Sequence, residues 1–209
     1  TKVDVLVLGG GMANTFLLAQ GKSVGKSLAE HDRVDDARRM LALAEKRGVN
    51  VVLPTDVVIA KEVTRGTEYK TVGTDKFPAS WHIVDLGEDS RAAIEEALAG
   101  AKTVLWNGPL GVFEIPSFAH GTIAIARYLA ARAEAGVTVV VGGGDSVAAI
   151  EQQGLTAKFT HISTGGGASL EFLEGRELPG IAVLQDRPAS ETKPKAKPRK
   201  AAVGSGAKG

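Results

Sequence analysis

A chain of 209 residues, 44% hydrophobic and 23% charged, is long enough for one substantial core and sits near the averages of soluble globular domains. It has no cysteine, which excludes a disulfide framework, a thiol nucleophile and a cysteine-ligated metal; that fits a reducing cytosol without establishing one. Neither a basic-then-apolar signal segment nor a long uncharged apolar run occurs, so no membrane partner is expected.

In chain order, Val3 to Leu8 reads as a strand that enters a glycine triplet, Gly9-Gly10-Gly11, and the apolar stretch MANTFLLAQ. Such an abrupt beginning is expected of a piece cut from a larger fold at least as much as of a processed chain. Asp32 is placed to cap a helix whose Val34, Ala37, Met40, Leu41 and Ala44 share one face, with Gly48 past its end. Asn50 to Leu53 is a strand halted by Pro54, and Val57 to Ala60 and Lys70 to Val72 are shorter extended pieces. The strand His82 to Leu86 precedes a helix from about Ser90 to Ala99. Thr103 to Trp106 is a strand ending in NGPLGVFE. A long helix follows from Pro116 to Ala135, with proline in its first turn and Gly136 at its end. Val137 to Val141 runs into Gly142-Gly143-Gly144 and a helix, and Phe159 to Ser163 leads into Gly165-Gly166-Gly167; Ile181 to Leu184 is a last short strand. Short apolar strands alternating with helices predict an α/β fold, doubly wound around a parallel sheet, as a single domain.

The net charge of +1 hides an asymmetry, because residues 186–209 carry about +5 and the remainder about −4. Those last residues are poor in core-forming side chains and predict a disordered basic tail. A basic tail can recruit an acidic partner, but no aromatic residue is interleaved with the charges, so nucleic acid is not an expected ligand.

The recurring device is strand, glycine triplet, helix, and it occurs three times. In an open parallel sheet ligands bind beyond the carboxyl ends of the strands, where all three triplets and the turn from Asn107 to Gly111 lie. The first N–H groups of a helix have no internal partners and attract anions, and glycine lets a phosphate approach the backbone. Asp145 would repel a bare phosphate, but it fits beside one if a divalent cation lies between them, and Ser146 adds a hydroxyl. Helix capping is the commoner use of an aspartate in this position. Gly21-Lys22-Ser23 and Gly25-Lys26-Ser27 lack the upstream glycine of a P-loop. The dinucleotide fingerprint G-x-G-x-x-G fails at Asn14 and at Val147, which weighs against a nicotinamide-dependent oxidoreductase. His31, His82, His120 and His161 have no ligand-like spacing.

The strings LGGGMANTFLLAQG, VLPTDVVIA, TVLWNGPLGVFE, VVVGGGDSVAA and HISTGGGASLEFLEGRELPG, in this order, closely resemble the nucleotide-binding carboxyl-terminal lobe of phosphoglycerate kinase. The resemblance implies a Rossmann-like, three-layer, mainly parallel α/β domain over residues 1–185, lacking its first strand, followed by the tail. It also implies a cytoplasmic glycolytic kinase, monomeric at full length, that transfers a phosphoryl group between 1,3-bisphosphoglycerate and MgADP. Carried over by residue, it puts Gly10, Gly11 and Leu28 beside the adenine, and Pro109 and Val112 against base and ribose. Glu114 would accept the ribose hydroxyls, and Asn107 would lie near the phosphate chain. Asp145 would hold Mg²⁺ with ADP or ATP. Gly143, Gly144, Ser146 and the triplet Gly165, Gly166 and Gly167 would offer N–H or hydroxyl groups to the phosphates, with Gly144 and that last triplet at the phosphoryl group in flight.

This sequence departs from the family in three ways. Serine stands at 146 where many members have threonine, and Ile83 takes the place of a glycine found in some members near the base. The half that binds phosphoglycerate, and the lysine-bearing segment upstream of Thr1, do not occur. The resemblance therefore implies a nucleotide-binding half that is inactive alone, with a noncatalytic nucleotide-binding or interaction module as the alternative.

Overall fold

The computed structural model describes residues 3–75, 77–163 and 165–184. Strand β1 (Val5–Val7) leads into helix α1 (Gly10–Ala19), and a single turn of 3-10 helix (His31–Arg33) precedes α2 (Val34–Lys46). The return strand β2 (Asn50–Val52) lies parallel to β1. Next come β3 (Asp56–Ala60), β4 (Tyr69–Gly73), β5 (His82–Leu86) and α3 (Glu88–Leu98). Strand β6 (Thr103–Asn107), α4 (His120–Glu134), β7 (Thr138–Gly142), α5 (Gly144–Gln152) and β8 (His161–Ser163) complete a parallel sheet ordered β6-β7-β8. Helices α6 (Gly166–Glu174) and α7 (Pro179–Ala182) end the described chain. Parallel sheets with helices on both sides give the Rossmann-like α/β class that the alternation implies.

Four local expectations are corrected. The middle strands are not parallel: β3 pairs antiparallel with both β4 and β5. No helix separates β3 from β4 or β4 from β5, and without a crossover a strand can only return antiparallel. Ile181 is in a helical turn, not a strand. Pro179 opens that turn, and the amides of Ile181 and Ala182 both donate to Leu178 O at 2.9 Å. The helix from Pro116 is two elements, because a 3-10 turn at Pro116–Phe118 precedes α4. Asp32 sits inside its 3-10 turn and caps nothing, and Met40 faces solvent. The basic tail of residues 186–209 lies outside the described residues.

The main core lies between the β6-β7-β8 sheet and α4. Val104, Trp106, Val139 and Val141 pack there with Ile125 and Leu129 of α4, Ile150 of α5 and Ile94 of α3. Val7 and Val52 pack against the same cluster, so the β1-β2 pair is tied to this core. The chain clusters into one compact unit through Leu170 and a small second one from Glu171 onward. No helix among the described residues is long and apolar enough to cross a membrane.

Candidate functional site

How each helix begins separates two kinds of N-terminus. Helix α3 starts at Gly87 without a side-chain cap of its own, but Asp56 of β3 supplies one. Its Oδ1 accepts from Ser90 N at 2.7 Å and its Oδ2 from Asp89 N at 3.2 Å. Ser90 Oγ, fully buried, in turn accepts from the amides of Thr55 and Asp56 at 2.9 and 3.0 Å. Helix α4 is likewise capped from outside, by Asp85 of β5, whose Oδ2 accepts from Gly121 N at 2.8 Å. Both caps are buried carboxylates reaching across from a neighbouring strand, which satisfies donors that a helix cannot pair internally.

Helices α1 and α5 begin differently. Each starts inside a glycine triplet, with Gly9 and Gly143 as N-caps that carry no side chain, and no side chain among the described residues accepts from their first amides. Helix α6 also starts within a triplet, at Gly166. The bare N-termini of α1 and α5 lie just past the carboxyl ends of β1 and β7, and α6 starts just past that of β8.

Steric demands sort the glycines. Gly143 has φ +89, and a β-carbon there would lie 2.6 Å from Asn107 Oδ1. One on Gly166 would lie 2.6 Å from Gly143 Cα and 2.8 Å from Asn107 Oδ1. Asn107, Gly143 and Gly166 are therefore packed against one another, and Gly143 N donates to Ser163 O at 3.1 Å. At Gly144 and Gly167 a β-carbon would meet nothing within 4 Å, at Gly165 only ordinary contacts, and none of the three has a positive φ. The fold makes no demand for glycine at these three.

A cleft of about 270 Å³ opens beside this region. Gly10 and Gly11, Leu28, Ile83, Pro109 and Val112 are among its walls. Gly10, at φ +56, lets the start of α1 approach Pro109 O, where a β-carbon would sit at 2.9 Å. Leu28 is 81% exposed at the cleft, an apolar side chain without a cover. Its loop is pinned by three bonds, two to α1 and one to β5. Asn14 Nδ2 donates to Leu28 O at 2.9 Å, Ser27 Oγ accepts from Ile83 N at 2.7 Å, and Thr15 Oγ1 accepts from Glu30 N at 3.0 Å. Ile83 lines the cleft as a bulky wall residue.

The turn after β6 joins cleft and triplets. Gly108 N donates to Ser146 Oγ at 2.6 Å, while Pro109 to Val112 face the cleft. Ser146 is fully buried, so its hydroxyl oxygen holds the turn onto α5. Asp145, next to it in the first turn of α5, is exposed and has no hydrogen bond or ion pair among the described residues. Glu114 is exposed and is not among the residues lining the cleft.

Of the residues singled out from sequence, Gly10, Gly11, Leu28, Pro109 and Val112 share the cleft, and Asn107, Gly143 and Gly166 share the contact between the β6, β7 and β8 loops. Sequence reasoning missed Asn14, Asp85 and Thr122. Each carries a signal: an amide side chain beside Thr15 in an otherwise apolar helix, a lone charge in the strand HIVDL, and a hydroxyl in the first turn of α4.

A family model described as phosphoglycerate kinase matches residues 1–176. The chain is 55% identical over 187 residues to phosphoglycerate kinase of Pelotomaculum thermopropionicum, covering 90% of this chain and 47% of that protein. It is 53% identical over 185 residues to that of Chloroflexus aurantiacus, covering 88% and 46%. The solved phosphoglycerate kinase of Coxiella burnetii superposes with a TM-score of 0.81 at 42% identity, over 87% of this chain and 46% of that one. The Pyrococcus horikoshii enzyme does so at 0.69 and 31% identity, over 86% and 44%. The chain thus spans about half the length of the relatives it matches, and across that span it belongs to the phosphoglycerate kinase family.

Proposed function

We propose that this chain is the nucleotide-binding, carboxyl-terminal lobe of a phosphoglycerate kinase, over residues 1–185. The observation that carries the reading is the contrast between helix starts. Where α3 and α4 begin, buried aspartates satisfy the free amides. Where α1 and α5 begin, glycines leave them bare at the carboxyl ends of parallel strands, beside an apolar cleft of nucleoside size. In this reading the base lies against Gly10, Gly11, Leu28, Pro109 and Val112, with Ile83 narrowing the wall. Glu114 meets the ribose hydroxyls from outside the cleft. Asn107 and the amides of Gly144 and Gly165 to Gly167 take the phosphate chain, while Gly143, whose own amide donates to Ser163 O, shapes the turn beside them.

Asp145 fits a magnesium ligand by its chemistry, being an exposed, unpaired carboxylate beside free helix amides. Among the described residues no cluster of three or more His, Cys, Asp or Glu could hold a metal unaided, so the remaining ligands would be phosphate oxygens and water. Bound there, Mg²⁺ neutralises phosphate charge. The chain's own residues contribute orientation and N–H donors, and none serves as a nucleophile, since phosphoryl transfer depends mainly on positioning and electrostatics. In the whole kinase the 1-phosphoryl group breaks from its acyl oxygen and bonds to the β-phosphate of ADP, leaving the carboxylate of 3-phosphoglycerate. The phosphoglycerate site and its basic groups belong to the other half, so this chain binds nucleotide weakly and does not turn over alone.

Titration of the chain with ADP, with and without Mg²⁺, tests the reading. The expected result is a magnesium-dependent gain in affinity that Asp145→Ala abolishes while metal-free ADP binding stays unchanged. Equal magnesium dependence in the variant refutes the role of Asp145. Family-like turnover by the chain alone refutes its assignment as an incomplete half.

A further inference from the structure

Asp85 is the one charged side chain in the lining of the cleft, and it is 1% exposed. Its Oδ1 accepts from Leu86 N at 2.9 Å and its Oδ2 from Gly121 N at 2.8 Å. A β-carbon on either Gly111 or Gly121 would overlap this carboxylate, so the cleft wall and the first turn of α4 close on it from two sides. One residue further along α4, the fully buried Thr122 turns its hydroxyl the other way. Its Oγ1 accepts from Leu110 N at 3.0 Å and from Gly111 N at 3.2 Å, inside the Pro109–Val112 segment that lines the cleft.

We infer that Asp85 is a positioning residue for nucleoside binding, fixing the start of α4 through Gly121 so that Thr122 holds Leu110 and Gly111 and sets the cleft wall. The inference rests on the cleft being the nucleoside seat. Three features support it. Helix α4 has no cap of its own, and Asp85 is the only side chain among the described residues that accepts from its first-turn amides. Both contacts to Thr122 run from the backbone of the Pro109–Val112 segment that lines the cleft, although the Leu110 side chain also joins the main core. Burial also pushes the Asp85 carboxyl up to about 6 against the pull of the Gly121 and Leu86 amides, so an ionised group here costs stability at neutral pH. Packing alone would favour a neutral residue.

The test uses the full chain with three substitutions, Asp85→Asn, Thr122→Val and Thr122→Ser, and two probes that report different parts of the site. Adenosine reports the cleft; magnesium tripolyphosphate reports the glycine loops. Asp85→Asn and Thr122→Val are expected to weaken adenosine binding about tenfold, which is about 1.4 kcal/mol, and to leave tripolyphosphate binding within about twofold. Thr122→Ser keeps the hydroxyl and is expected to restore the wild-type value. Amide hydrogen exchange needs no ligand. It should quicken at Gly121, Leu110 and Gly111 in Asp85→Asn, while Val139 and Val141 in the core stay protected.

Unchanged exchange at Leu110 and Gly111 in a folded Asp85→Asn protein overturns the inference. If that variant does not fold, Thr122→Val decides: folded with wild-type adenosine affinity, it overturns the inference equally. A weakening of both probes together also overturns it, because that is a general loss of structure. A wild-type chain that binds no adenosine refutes the cleft as a nucleoside seat, and with it the nucleoside-positioning role; quickened exchange would then support only the mechanical link from Asp85 to the wall.

Discussion

Replacing Gly144 or Gly167 by alanine should strengthen the fold and weaken the site. At both positions the backbone has no positive φ, and a β-carbon would meet nothing within 4 Å. Both lie in the first turn of a helix, where alanine gains on glycine by at most the roughly 0.5–1 kcal/mol of a helix interior. Each substitution is therefore expected to raise the melting temperature by about 1–4 °C in a chain of this size. If phosphate oxygens approach these amides, the added methyl holds them off. Losing one hydrogen bond to a charged group is worth about 1.5–3 kcal/mol, which is a ten- to hundredfold loss of MgADP affinity. Gly166→Ala is the contrasting control. Its β-carbon would press on the backbone of Gly143, so overpacking of about 1–3 kcal/mol should lower stability along with affinity. Thermal unfolding followed by circular dichroism gives the first quantity and calorimetric titration with MgADP the second. Wild-type affinity in a stabilised Gly144→Ala and Gly167→Ala pair would refute the claim that these glycines exist for a phosphate.

The buried polar groups give further expectations. Ser146→Ala leaves Gly108 N without its acceptor and should destabilise the chain by about 1–3 kcal/mol, read from urea unfolding; an unchanged midpoint would show that the turn is held otherwise. Ser90→Ala strips the acceptor from the amides of both Thr55 and Asp56 and should cost about 2–4 kcal/mol, more than Ser146→Ala. For Asp85 the folded carboxyl titrates near 6 and the unfolded one near its ordinary 3.8, with Arg91 of α3 among the groups favouring its charge. The folded state thus holds the extra proton between those values. Its stability contribution is complete below about pH 4 and is lost as the pH rises through about 6, roughly 3 kcal/mol in all. Stability measured against pH for wild type and Asp85→Asn should diverge over that window, and parallel curves would show that Asp85 titrates normally.

Much of the fold was legible because its signals are periodic and local. The β7 segment and its helix follow from five strand-forming residues, a triplet and an alanine-rich run, and they form as Thr138–Gly142 and Gly144–Gln152. The antiparallel β3-β4-β5 unit was not legible. Alternating strands and helices predict parallel pairing, but the direction of β4 depends on the absence of a helix between Ala60 and Tyr69, and composition does not reveal that as clearly as periodicity reveals a strand. The segment Ile181–Leu184 misled for a related reason. Its apolar residues satisfy a strand pattern, yet Pro179-Gly180 at a helix start and the lack of a pairing strand among the described residues decide for a helical turn.

Glycine triplets could be read from sequence as candidate phosphate loops, but their equivalence could not. Nine glycines in three runs look alike in one dimension. In space Gly143 and Gly166 are consumed by the contact with Asn107, Gly9 by the side chain of Leu110 and Gly10 by Pro109, while Gly144, Gly165 and Gly167 keep open or ordinary surroundings. The first group is what lets three strand ends meet; the second is what the meeting leaves available. Helix capping draws the same division. The chain uses aspartates to close α3 and α4 from adjacent strands, so leaving α1 and α5 with bare glycine caps is a choice of residue and not a lack of means. A free helix start in water costs little, but the starts of α1 and α5 both border the turn from Asn107 to Leu110, which brings unpaired N–H donors of two sheets toward one turn. An anion of several charges is the ligand that bare helix starts favour most, and in the proposed reading the apolar cleft beside them accepts the flat, weakly polar body at its other end.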